Sequence, residues 1–179
     1  MVCPISETHR PPRKFPIPIF ALIIGIDEYQ NINTLSGACR DADAIYACLT
    51  TRLLVPHENI VNLRNVSATR SRIIKEISSL ASNESIMRDD AIIIYFAGHG
   101  GRAGVPKEWE GYVAAQSQIE IICPVDIFEV DGKGVATPGI PDRLLNQLLH
   151  ELSYTKSNNI VSPHSQTGDK IDLLTDSHS

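Results

Sequence analysis

Hydrophobic and polar positions follow two different periods along this chain. Residues 20–26 form a continuous apolar run ended by Asp27, the habit of a strand buried on both faces of a parallel sheet. From residue 37 to residue 54 the pattern is helical. Ala38, Ala42, Ile45, Leu49 and Leu53 recur at spacings of three and four, and Pro56 closes the segment. Residues 60–63 predict a short second strand. Thr69 is placed to cap a helix whose apolar stripe is Ile73, Ile74, Ile77, Leu80 and Ala81. Asp89 and Asp90 lead into residues 91–96, the strongest strand pattern in the chain, which Gly98-His99-Gly100-Gly101 breaks. A long loop is expected from Arg102 to about residue 118, then an extended piece over residues 119–125. A last helix is expected over residues 141–152, with Leu144, Leu145, Leu148, Leu149 and Leu152 facing the core and a proline in its first turn.

Strand, helix, strand, helix, strand is the order of βαβ units with right-handed crossovers. The fold class is therefore α/β with a mostly parallel sheet, and 179 residues suit a single domain. Residues 1 to about 18 are rich in proline and polar groups and read as a disordered lead-in. Arg10, Arg13 and Lys14 before the apolar run imitate a signal peptide, but Pro16 and Pro18 interrupt it and no small-x-small cleavage site follows. No stretch reaches the length of a membrane span. A net charge of -5 disfavours a nucleic-acid partner, which calls for a basic face. The four cysteines, Cys3, Cys39, Cys48 and Cys123, are widely spaced with no C-x-x-C pair. They suit structural thiols in a reducing, cytoplasmic setting, and neither a metal nor a cofactor is assigned.

Sites in such sheets form beyond the carboxyl ends of the strands. His99 stands there, three residues after the aromatic end of the main strand, between glycines that let the backbone turn sharply. An imidazole in that place shuttles protons, and a free amide at Gly100 donates to an oxyanion. Asp27 ends the first strand on the same edge and Asp41 lies near the start of the first helix. Carboxylates converging there would prefer cationic groups. Asp43 and Asp89 read as solvated or capping acids. Cys39 and Cys48 read as packing residues of the first helix, and Cys123, before Pro124, as a buried inert thiol. His57, His150, His164 and His178 have no ligand spacing, and Asp126 and Asp131-Gly132 lack the alternating acids of a calcium loop.

Five segments then resemble, in order and rough spacing, the caspase/metacaspase family of cysteine peptidases. They are Phe20-Ala-Leu-Ile-Ile-Gly-Ile26, Gly37-Ala-Cys-Arg-Asp-Ala42, Thr69-Arg70, Tyr95-Phe-Ala-Gly-His-Gly100 and Ile122-Cys-Pro-Val-Asp126. The likeness covers residues 19–161, leans toward metacaspases and fungal caspase-domain proteins, and is most specific at the aromatic-x-Gly-His-Gly piece. It implies a three-layer sandwich and a Cys-His dyad whose thiolate attacks a peptide carbonyl. His99 matches the family histidine and Gly100 the glycine whose amide helps hold the oxyanion. Asp41 matches an acid that in metacaspases lines a pocket for arginine or lysine, although Ala38 stands where that segment usually has cysteine.

The resemblance stops short of the nucleophile. In the family the last helix leads to a buried strand and then to an Asp-x-Cys-His-Ser-Gly-like stretch. Here residues 158–161 start that strand, Ser162-Pro163-His-Ser-Gln-Thr-Gly168 follows, and no cysteine lies after Cys123. The sandwich is thus expected to be incomplete at its C-terminal end, with residues 162–179 a divergent polar tail that does not dock. Two functions compete. One is a cysteine endopeptidase domain acting on polypeptides but inactive as this chain. The other is a non-catalytic module that binds protein partners or associates with intact relatives. An esterase reading, prompted by Gly98-His-Gly-Gly101, fails for want of a G-x-S-x-G elbow.

Overall fold

The computed structural model describes residues 17–105 and 118–162 in full, and the backbone of residues 164–166 and 171–173. Strand β1 (Ile19–Gly25) is flanked on one side by β2 (Ile60–Arg64) and on the other by β3 (Ala91–Gly98), both parallel to it. The far edge of β3 carries β7 (Ile160–Val161) and then β8 (His164–Gln166), again parallel. Both keep one continuous register, from Ile92↔Ile160 to Gly98↔Gln166. The two pieces lie on one register with Ser162 and Pro163 between them in sequence, and a proline has no N–H to give to a ladder.

The sheet is the middle of three layers. Helix α1 (Ala38–Ala47) covers one face, packing on Ala21, Ile23, Tyr95 and Ala97. Helices α2 (Arg70–Ser82) and α3 (Asp142–Lys156) cover the other, over Phe20, Leu22, Ile24, Ile92, Ile94 and Phe96. Alternate residues of β1 and β3 thus enter different halves of the core, which is why both runs read as unbroken apolar sequence. Leu22, Ile23 and Ile24 are essentially inaccessible, and each contributes about 1.5–3 kcal/mol by burial. Thr69 caps α2 as expected, accepting from the Arg72 N–H at 3.3 Å. Pro141 stands just before α3 rather than inside its first turn.

Four expectations change. Leu53 is more than half exposed, because α1 runs into a wider turn over Cys48–Arg52 in which Leu53 N–H bonds Cys48 O. The extra residue in that turn rotates the apolar stripe away from the core. Cys48 is likewise exposed rather than packed. The start of the expected loop is strand β4 (Gly100–Gly104), paired antiparallel with β5 (Gln118–Ile122), which also meets β6 (Ile140–Pro141). These form a second, small sheet beside the main one. Its glycine-rich first strand carried no apolar alternation to betray it. Finally, the backbone of β8 and of β9 (Ile171–Leu173) pairs with β3 and β4, whereas an undocked tail was expected. The rest of the tail and of the lead-in lies outside the described residues. Among the described residues no helix is long and apolar enough to cross a membrane.

Candidate active site

His99 is the single residue between the end of β3 and the start of β4, at the carboxyl edge of the main sheet. It is only 5% exposed, an unusual depth for a side chain that carries two polar nitrogens. Its Nε2 lies 2.8 Å from the backbone carbonyl of Asn33. A carbonyl oxygen only accepts, so Nε2 carries the hydrogen. Its Nδ1 is buried and has no hydrogen-bond partner among the described residues. With the hydrogen on Nε2, that nitrogen is an acceptor in the neutral imidazole.

Gly100 begins β4, opposite Ile122. Cys123 N–H donates to His99 O at 2.9 Å. That bond makes Gly100 and Ile122 the kind of antiparallel pair that exchanges no direct backbone bond. The Gly100 amide therefore turns away from β5, toward the edge of β4 that β9 pairs from Gly101 onward.

The loop after β1 builds the other wall. Asp27 does not stand free to attract a cation. Its Oδ1 accepts from Gly37 N at 3.1 Å and Ala38 N at 2.8 Å, and its Oδ2 from Cys39 N at 3.1 Å. It thereby satisfies the amides that open α1. Gly37 has φ 138°, a conformation that glycine adopts at little cost. The expected convergence of carboxylates is thus reduced: Asp27 is committed to the helix, and Asp41 sits half-buried in its first turn. The positive end of α1 stabilises a carboxylate there. His99 and Gly100 come together, and Asp41 shares their edge of the sheet at the head of the neighbouring helix.

Neither Cys39 nor Cys123 is poised as a nucleophile. Cys123 is fully buried, and burial pushes its thiol up to about 12. Cys39 is also shifted up, first by desolvation and then by the Asp27 charge, and its Sγ lies 3.2 Å from both Gly25 O and Asn65 Oδ1. Raised thiols are poor sources of thiolate. No cluster of three or more His, Cys, Asp or Glu among the described residues could hold a metal ion.

Three contributors were not singled out from sequence. Asn33 acts through its backbone, which no side-chain pattern reveals. Asn65 accepts from Asp27 N and Glu28 N through Oδ1 and so pins the loop after β1. Tyr29 was the most readable: an aromatic with a polar tip, four residues past the end of a buried strand.

Comparisons with known proteins identify the family. The Caspase domain family matches residues 19–149. Metacaspase-1 of Kluyveromyces lactis is 29% identical over 116 residues, which cover 63% of this chain and 26% of that protein. A crystal structure of a Geobacter sulfurreducens protein superimposes with a TM-score of 0.59 at 19% identity, covering 82% of this chain and 48% of the other. The chain spans a quarter of the length of the metacaspase and about half of the structural neighbour. With a family match over most of its length and a histidine at the carboxyl edge of a caspase-like sheet, this chain belongs to the caspase domain family.

Proposed function

We propose that the chain carries the histidine half of a cysteine-peptidase site and, as it stands, cleaves no peptide. The observation that supports this most is His99 itself, buried, with Nε2 held on the Asn33 carbonyl and Nδ1 without a partner among the described residues. A thiol beside Nδ1 would pass its proton there, and the thiolate would then attack a peptide carbonyl carbon. The carbonyl electron pair would move to oxygen, which the Gly100 amide stabilises. Asp41 would favour arginine or lysine on the acyl side of the scissile bond. The relative named Metacaspase-1 makes a polypeptide substrate the natural expectation.

The second reading, a non-catalytic module that binds protein partners or intact relatives, is favoured by a specific observation. Strand β8 ends beside Gly98, where the nucleophile strand would lie, and its sequence is His164-Ser165-Gln166. That place is filled by a segment without a thiol.

The experiment has two arms. The purified chain should not hydrolyse arginyl or lysyl peptides. Replacing residues 162–167 with an Asp-x-Cys-His-Ser-Gly-like stretch should confer cleavage after basic residues, abolished by His99→Ala and weakened by Asp41→Ala. Hydrolysis by the unmodified chain that His99→Ala removes would overturn the claim of inactivity. A folded graft with no activity would favour the binding reading.

A further inference from the structure

The side chain of Tyr29 is buried against the His99 turn, and its hydroxyl sits between two backbone groups. It accepts from His99 N–H at 3.1 Å and lies 3.1 Å from Cys123 O, to which it donates. Its ring stands 5.1 Å from the imidazole, tilted by 54°. Gly98 is shaped to this neighbour: a Cβ there would come within 2.8 Å of the Tyr29 hydroxyl and 2.9 Å of the Phe96 ring. Tyr29 and Asn33 belong to the same loop after β1. One loop thus holds His99 twice, at the main-chain amide through a phenol and at Nε2 through a carbonyl.

The loop is itself fixed. Leu35 N bonds Asp27 O at 2.8 Å, and Asn31 Nδ2 bonds Ile127 O at 3.0 Å. Cys123 N–H returns to His99 O, so the phenol closes a ring of three bonds joining the ends of β3 and β5. Burial raises the phenol well above its ordinary pKa, only partly opposed by the bond from His99, so its proton stays on and the donor to Cys123 persists.

We propose that Tyr29 is a positioning residue for His99: its hydroxyl fixes the main chain from which the imidazole springs, keeping Nε2 on Asn33 and leaving Nδ1 the bare acceptor. This rests on the reading of His99 as the base, but its test does not require catalysis. Without the hydroxyl, the His99 amide and the Cys123 carbonyl become unpaired buried groups, and the turn shifts to find partners. A displacement small enough to keep the fold is enough to loosen the Nε2 contact.

The test is nitrogen NMR on the full chain with labelled histidine. In the wild-type chain His99 should show one tautomer, with hydrogen on Nε2. In Tyr29→Phe, which keeps the ring, a second tautomer should appear at about a tenth of the population or more. Amide exchange at His99 should also quicken at least about tenfold. An unchanged tautomer and exchange within about twofold of wild type would overturn the proposal. Should Tyr29→Phe fail to fold, the wild-type chain alone decides. A slowly exchanging Tyr29 hydroxyl proton close to the His99 amide supports the proposal, and a freely exchanging one refutes it. If the tautomer shifts while the cysteine-bearing graft stays inactive, Tyr29 positions His99 and the peptidase reading is the part that fails. In an active graft, Tyr29→Phe should lower kcat about tenfold with KM little changed.

Discussion

Strand β3 is paired along its length with β1, from Ile19↔Ala91 to Gly25↔Ala97, while its other edge meets β7 and β8 in two short pieces. On the β1 side the residues facing both layers are buried, and the loop that follows fixes His99. On the β7–β8 side Val161 is 58% exposed. Ser162, in register with Ile94, lines a cavity of about 50 Å³ with Ile24, Ile73, Phe96, Leu145 and Leu149. Among the described residues, the edge of β3 that meets β1 is closely packed, and the edge that meets β7 and β8 borders a cavity.

The largest effect expected from this asymmetry is a difference between two truncations. Ile23→Ala empties a fully buried position facing α1 and should destabilise the chain by about 2–5 kcal/mol. Val161→Ala, on the open edge, should change stability by less than about 0.5 kcal/mol. Urea unfolding of the two variants measures both. Equal losses would mean that the β7–β8 edge is as well packed as the β1 edge, and the comparison would collapse.

Legibility in the sequence divides along the same line. The strands β1, β2 and β3, the Thr69 cap and the last helix could be read because burial on both faces and helical spacing leave strong periodic signals. The candidate site was drawn from side chains in a family motif, His99 and Asp41, and from a flanking glycine, Gly100. It could not be read where the backbone acts. The Asn33 carbonyl and the pairing of β4 leave no mark on residue type, and the capping role of Asp27 depends on a helix start ten residues downstream. The pairing of β8 was missed for a different reason. Three polar residues were judged by the apolar surface they lack, whereas the ladder that holds them is made of main-chain groups, which every residue but proline supplies in full.

A second test separates the edges by pH. Cys123 lies at the end of β5, on the side where His99 is fixed, and its thiol is raised from 9.0 to about 12 by burial. The folded chain keeps a proton that the unfolded chain releases above pH 9, so the unfolded state binds fewer protons there and stability falls as pH rises. The contribution should be whole below about pH 9 and lost progressively toward pH 12. Tyr29, also raised by burial, adds to the same limb. Cys123→Ala should flatten the limb in denaturation midpoints taken between pH 8.5 and 11, even if it lowers the plateau. A limb as steep as wild type would show that the thiol is not sealed in the folded chain.

The smallest effect has the opposite sign and so tests the comparison most sharply. In β3, Ile92, Ile94 and Phe96 face α2 and α3, and Ser162 follows Val161 at the register of Ile94. A serine at that place brings a short side chain to a cavity lined mostly by isoleucine, leucine and phenylalanine, with Asp142 and Asn146 also on its wall, and leaves it unfilled among the described residues. Ser162→Val keeps a strand-favouring shape and adds apolar volume where space already exists, so it should not force neighbouring side chains off their rotamers. The gain should be about 1 kcal/mol, the transfer of roughly one buried methylene. The same change at Ala97, packed without space in the α1 half of the core, should destabilise the chain by about 1–3 kcal/mol through crowding. Chemical denaturation of the two variants side by side gives the answer as a pair of signs. A loss at both positions would mean that the β7–β8 edge is already packed to capacity, and that the absence of a thiol there is a change of residue rather than a defect in the core.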